Sequence, residues 1–143
     1  MKKLGSLRVR VLSPDDADKL FLFLDRQEYP FPWEEQYLKD CMMIRIGTPA
    51  ETWGYWWFHW LDGCDFVMEA HVCISRKRYG QWATPFVLSR LFAIVDLVGA
   101  KTIIVRPPNA AAARTLGRLG FTKVGPVMTY DVQQEEDPYG RNV

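Results

Sequence analysis

Apolar and basic residues alternate with a period of two over residues 7 to 11, LRVRV, which predicts a first strand. The period then lengthens. Ala17, Leu20, Phe21 and Leu24 recur at helical spacing behind a start signal, with Ser13 as N-cap, Pro14 as first helical residue and Asp15 and Asp16 in the first turn. Residues 29 to 32, YPFP, end that helix. Trp33, Tyr37 and Cys41 then predict a short second helix that leads into CMMIRI, a second strand. From residue 51 to 61 the period returns to two, with aromatic residues on both faces. Trp53, Tyr55, Trp57, His59 and Leu61 share one face; Gly54, Trp56, Phe58 and Trp60 share the other. A strand apolar on both faces is covered on both sides.

The Asp62-Gly63 pair is a turn signal, so residues 66 to 75, FVMEAHVCIS, should return antiparallel as the second arm of a hairpin. A basic loop, RKRYGQWA, follows at residues 76 to 83. It opens a helix expected from residue 81 or 84 to 98, with Leu88, Leu91, Phe92 and Val95 as its main stripe and Gly99 as its stop. Residues 102 to 106, TIIVR, read as a short buried strand. Strand, helix and strand at these lengths make a right-handed crossover between parallel neighbours. Asn109 caps the last helix, Ala112, Leu116 and Leu119 form its inner stripe, and Gly120 ends it. Residues 121 to 127 and 128 to 132 close the pattern as two strands around Gly125-Pro126. The element order predicts an α/β (mixed α+β) fold. Its central sheet is mixed and mostly antiparallel, with one parallel crossover and helices on both faces. Residues 1–132 are expected to form a single domain, and residues 133–143 a polar tail.

Composition narrows the partners. The chain of 143 residues is 48% hydrophobic and 24% charged, enough for a sizeable core. Its net charge of +1 argues against a nucleic-acid footprint, so Arg76, Lys77 and Arg78 are a local feature. Cys41, Cys64 and Cys73 show neither zinc spacing nor a disulfide framework, so no metal site is expected and the thiols read as reduced, in a cytoplasmic setting. The lysines near the start precede no apolar signal core, and no apolar run has the length of a membrane span, so no membrane partner is expected.

The basic loop has its own chemistry. A turn that enters a helix N-terminus aims backbone N–H groups at an anion. Gly80 and Ala83 permit close approach, while Arg76, Lys77 and Arg78 add charge that can pair with phosphate. Pro85 removes one early N–H from that set. On the preceding strand Glu69, His71 and Cys73 alternate onto one face.

HVCISRKRYGQWA and NAAAARTLGRLGF, set in this element order, resemble the GNAT N-acetyltransferases. The most specific part is N-x-x-A-x(7)-G-F, here Asn109, Ala112, Gly120 and Phe121. The small, aromatic-rich form also resembles, more loosely, GNAT-like proteins carried by tailed bacteriophages. The family's loop motif R/Q-x-x-G-x-G/A aligns Arg78 with its first position and Ala83 with its last. Gln81 then stands where the middle glycine belongs, and Gly80 comes one place early.

The resemblance implies acetyl-CoA as co-substrate. It would be held by strand amides near Val72 and Ile74 and by the loop residues Arg76, Arg78, Tyr79, Gly80, Gln81, Trp82 and Ala83, with Asn109 nearby. It implies acetyl transfer to a primary amine of a small molecule or peptide, by direct attack on the thioester, with Glu69 or His71 as catalytic base. A strand amide there would also stabilise the oxyanion. The family's usual acidic tyrosine falls at Leu116, with Tyr79 and Tyr130 as the candidate substitutes. Cys73 reads as a small buried hydrophobe rather than a nucleophile. The aromatic run of residues 53 to 60, with His59, reads as core packing or as a wall of the acceptor site. The YPFPW segment would shape acceptor choice. The departures at Gln81 and Leu116 keep a second expectation open: a GNAT-fold protein without catalysis, acting as a structural or interaction component of a phage particle or against a host factor. Its setting would then be the host cytoplasm or the virion. A homodimer or a protein partner fits either expectation.

Overall fold

A computed structural model describes residues 7–29, 41–107 and 109–132. The predicted second helix before Cys41, most of the YPFPW segment and the polar tail lie outside the described residues.

The strands are β1 (Arg8–Leu12), β2 (Met42–Gly47), β3 (Thr52–Trp60), β4 (Val67–Ile74), β5 (Thr102–Val105), β6 (Thr122–Val124) and β7 (Val127–Asp131). They form a 7-stranded sheet in the order β1-β2-β3-β4-β5-β7-β6. β4 and β5 pair parallel and every other neighbouring pair is antiparallel. The described helices are α1 (Ala17–Arg26), α2 (Pro85–Leu97) and α3 (Ala110–Arg118). This is the mixed, mostly antiparallel α/β architecture that the pattern predicts, with α2 as the crossover between the parallel strands.

Alternation along β3 divides the core in two. Trp56 and Phe58 point into one cluster with Ile44, Met68 and Ala70, covered by Val87, Leu91 and Val95 of α2 and joined by Leu116 of α3. Tyr55 and Trp57 point the other way, to Met43 and Cys73 and to Leu20, Phe21 and Leu24 of α1. Burying one such side chain contributes roughly 1.5–3 kcal/mol, so the double-sided aromatic strand anchors both layers. Gly54 sits where the β4 residues Cys73 and Ile74 crowd β3. A Cβ there would collide with the Ile74 side chain and the Cys73 carbonyl oxygen. One residue earlier, the β2–β3 register shifts at Ile46/Gly47 and leaves Trp53 as the extra residue of a bulge.

Helix starts differ from the sequence expectation in two places. Pro14–Asp16 forms a 3-10 turn rather than the first α-helical turn, closed by the Asp16 N–H on the Ser13 carbonyl at 3.0 Å, and α1 starts at Ala17. α2 starts at Pro85, with the Thr84 hydroxyl accepting from the Val87 N–H at 3.2 Å. A proline disfavours helical geometry in the residue before it, so the helix cannot begin earlier. With that start, the ridge against the sheet is Val87, Leu91 and Val95, and Leu88 is only half-buried. α3 is capped as expected: Asn109 Oδ1 accepts from the Ala112 N–H at 2.8 Å, and Gly120 follows with φ +98°.

Candidate active site

β4 outruns its parallel neighbour. Pairing with β5 covers Val67 to Ala70 and stops at the Ala70–Val105 pair, where β5 ends; β4 continues to Ile74. The other edge of β4 stays paired with β3 up to Gly54–Ile74. The Leu61 N–H donates to the Val67 carbonyl and the Ser75 N–H to the Trp53 carbonyl. Backbone groups of odd-numbered β4 residues therefore face β3, because ladder bonds alternate sides along a strand. Val72 and Ile74 have the opposite parity. Their N–H and C=O groups face the gap where β5 has ended.

The basic loop lies at the mouth of this gap. Ser75 leads into a 3-10 turn, Arg76–Arg78, and the N–H groups of Arg78, Tyr79 and Gln81 close local turns on Ser75, Arg76 and Arg78. Among the described residues, the N–H groups of Gly80, Trp82 and Ala83 meet no acceptor. Gly80 has φ +79°, with open space where a Cβ would stand. That left-handed geometry is why a glycine is needed here, one place before the family's position. Gln81 at the motif position caps the turn instead: its amide donates to the Lys77 carbonyl at 3.1 Å, and its Oε1 accepts from Arg78 Nη1 at 3.1 Å. Trp82 is buried against Trp56, with ring centres 5.6 Å apart, and pins the loop to the core. Ser75, Arg76 and Lys77 line a cleft of about 400 Å³ together with Arg26, Gln27 and Glu28 from the end of α1.

Arg78 is turned away from that cleft's cationic wall. Its Nε donates to Glu51 Oε2 at 2.8 Å and its Nη2 to Glu51 Oε1 at 2.6 Å. Its guanidinium also covers the Trp53 ring, 4.4 Å from the centroid. Hydrogen bonding from Arg78 is the main cause that holds the Glu51 carboxyl down at about 2. Exposed Arg76 and Lys77 remain as cations, and Lys77 Nζ lies 3.6 Å from Glu51 Oε2. Sequence reasoning missed Glu51 and Trp53 as partners of Arg78; the β2–β3 bulge that aims Trp53 leaves no local signal.

Glu69 and His71 lie on the α1 side of the sheet, and the hairpin adds His59. The register sets His59 opposite Glu69 and Trp57 opposite His71. His59 Nε2 and His71 Nε2 are 3.1 Å apart, His59 Nε2 lies 3.5 Å from Glu69 Oε2, and His71 Nε2 lies 4.0 Å from Glu69 Oε1. The His71 ring stacks between Trp57 and His59, at 5.4 and 5.3 Å. Glu69 is buried, and Arg106, just past β5, donates from Nε to its Oε1 at 3.2 Å. Burial pushes the His71 imidazole down to about 4, so it is neutral at neutral pH. His59 entered the sequence reading only within the aromatic run, as core packing or acceptor wall, and Arg106 only as the last residue of a strand that in fact ends at Val105.

The remaining candidates separate clearly. Cys73 is buried in the second core and burial pushes its thiol up to about 12, which leaves almost no thiolate at neutral pH. Leu116, at the family's tyrosine position, is buried in the first core. Tyr130 is packed between Phe92, stacked at 4.4 Å, and Phe121 at 5.2 Å, whereas Tyr79 is exposed on the loop. Asn109 spends its side-chain oxygen on the α3 cap.

No protein-family model matches the sequence, and no curated protein is similar to it in sequence. Solved structures are similar in fold. The ribosomal-protein-S18-alanine N-acetyltransferase of Escherichia coli superposes with a TM-score of 0.71 at 13% identity, over 93% of this chain and 98% of that one. A GNAT-family acetyltransferase from Streptococcus pneumoniae gives 0.69 at 14% identity, over 90% of this chain and 100% of that one. The Salmonella typhimurium protein YncA, solved with its cofactor acetyl-CoA, gives 0.65 at 18% identity, over 94% and 98%. No described helix is long and apolar enough to cross a membrane. A sheet in which β4 outruns its parallel neighbour β5, a loop at that end with amides unpaired among the described residues and these superpositions together establish that the chain has the fold of the GNAT N-acetyltransferases.

Proposed function

We propose that the protein is an acetyl-CoA-dependent N-acyltransferase that moves an acetyl group to a primary amine of a small molecule or peptide. The observation that carries this reading is the end of β4–β5 pairing at Ala70–Val105, which leaves the backbone groups of Val72 and Ile74 unpaired by β5 directly before the anion-binding loop. Those strand groups suit the amide-rich pantetheine arm. The free N–H groups of Gly80, Trp82 and Ala83, with Arg76 and Lys77 beside them, suit a diphosphate. Arg78, Gln81 and the Trp82 ring shape the loop, and Tyr79 stands exposed on it. The fold neighbours support the same chemistry, since one was solved with acetyl-CoA and another is named for acetylating an alanine.

In this reading the neutral amine nitrogen attacks the thioester carbonyl and forms the C–N bond. The C–S bond then breaks and the thiolate leaves. Glu69 or His71, which share one polar cluster, takes the proton that the amine must lose. The Val72 or Ile74 amide offers a donor for the oxyanion. Calorimetric titration with acetyl-CoA and with CoA tests the reading: saturable binding is expected, and folded protein that binds neither at millimolar ligand overturns it.

A second reading has its own observation. The Arg78 guanidinium is committed to Glu51 and Gln81, and Leu116 to the core, so a position that the resemblance gives to the co-substrate and the position of the family's acid both serve structure. A non-catalytic GNAT-fold interaction component would give no thermal shift with acetyl-CoA and a stable protein partner in pull-downs. Acetyl transfer to any member of an amine panel excludes it.

A further inference from the structure

We propose that His59, Glu69 and His71 form a binding site for a divalent transition-metal ion of the zinc type. The side chains come from two adjacent strands, and one ligand atom from each lies within 4.8 Å of the others. Two imidazole nitrogens bound to a tetrahedral zinc at ~2.05 Å stand roughly 3.3 Å apart. His59 Nε2 and His71 Nε2 are already 3.1 Å apart, and Glu69 Oε2 is 3.5 Å from His59 Nε2. The ligands thus need small adjustments rather than a rebuilt site.

The surroundings orient the ligands. His59 Nδ1 lies 3.2 Å from the Trp60 carbonyl oxygen, which selects the tautomer with hydrogen on Nδ1 and directs the Nε2 lone pair into the cluster. Stacking on Trp57 holds the His71 ring nearly parallel to the indole, at an interplanar angle of 18°. Arg106 occupies Glu69 Oε1, which also lies 4.0 Å from His71 Nε2, and leaves Oε2 turned to His59. Without metal, one Nε2 must donate a hydrogen to the other. With metal, the ion takes that hydrogen's place, and the proton moves to the other ring nitrogen of His71 or to solvent. Three protein ligands leave a position open, and two imidazoles with one carboxylate favour zinc-like ions over calcium or magnesium. The side chains of His59 and His71 are 17% and 20% exposed, enough to admit an ion from solvent. The proposal rests on this geometry and not on acetyl transfer. If both hold, metal covers the candidate base and inhibits the enzyme.

The sequence contains 2 histidines, so histidine signals read this site directly. Chelator-treated protein is titrated with Zn²⁺ and followed by imidazole ¹⁵N resonances, and separately with Co²⁺ and followed by visible absorption. Both histidines should shift together at one equivalent of Zn²⁺, and Co²⁺ should give ligand-field bands. His59→Ala should weaken binding at least about tenfold, and exposed Cys64→Ser should leave it unchanged. Absence of any histidine shift at millimolar Zn²⁺ overturns the proposal, as does a shift of one histidine alone or binding lost in Cys64→Ser. The wild-type titrations decide the matter even if His59→Ala fails to fold.

Discussion

Arg78 grips Glu51 with two parallel bonds, at 2.8 and 2.6 Å, and lays its guanidinium on Trp53. This pair ties the basic loop to the start of β3, so the cation aligned with the first position of the family's motif works as a brace. The Glu51 carboxyl is held at about 2, below its ordinary 4.5. A depressed carboxylate stabilises the fold fully above the ordinary value, and that contribution is lost as pH falls through the depressed one. The thermal midpoint of the wild type should therefore drop more steeply between pH 4.5 and 2 than that of Glu51→Gln, in which Arg78 has no titrating partner. Parallel pH profiles for the two proteins in calorimetry would refute the brace.

Leu116 stands where the family often has a tyrosine, yet it is 3% exposed in the first core. Leu116→Tyr should not create a general acid. It should overpack the core and bury a hydroxyl, at a cost of about 1–3 kcal/mol. Leu116→Ala should cost about 2–5 kcal/mol. Denaturant titrations of both variants measure these costs. A Tyr variant as stable as the wild type would mean that the position opens to the site.

Trp56 is 1% exposed, and its indole N–H has no partner among the described residues. Trp56→Phe removes that unpaired donor together with part of the ring, so the gain of about 1–3 kcal/mol from the donor offsets much of the lost packing. Trp56→Ala keeps no such balance and should cost about 3–5 kcal/mol or more. Urea midpoints should rank the wild type close to Trp56→Phe and far above Trp56→Ala.

Glu69 is the buried centre of the polar cluster and binds Arg106. Under the acetyl-transfer reading, Glu69→Gln should lower kcat by about 10²–10⁴ if it is the base, with acetyl-CoA affinity unchanged. The basic loop lies beyond the end of β4, and among the described residues no hydrogen bond joins it to Glu69. Steady-state rates with an amine panel, set beside a calorimetric Kd, separate the two quantities. Equal loss in both would assign Glu69 to holding the fold.

Legibility in the sequence followed the range of the interaction. The β3 faces, the Asn109 cap and the Gly120 stop depend on alternation and on bonds within a few residues, so they could be read directly. The start of α2 stayed open between residues 81 and 84, because the apolar stripe alone does not fix a first turn; Pro85 decides it through a steric limit on its predecessor. The polar cluster was half legible. Glu69 and His71 share a strand face by parity alone, but His59 depends on hairpin register. A two-residue turn at Asp62-Gly63 would set His59 opposite Phe66, whereas the longer connection sets it opposite Glu69.

By itself, then, the sequence determined the layers and their order, because periodicity and turn chemistry are local properties of the chain. It placed three cations and a glycine in the basic loop in the same way. Only the tertiary structure decided which partners the charged side chains take. It turned Arg78 to Glu51, 27 residues away, joined Arg106 to Glu69, 37 residues away, and brought His59 onto His71 across a ladder. Such contacts depend on strand register, a bulge and the place where β5 stops. Those follow from the packing of the whole sheet, and no short stretch of residues encodes them.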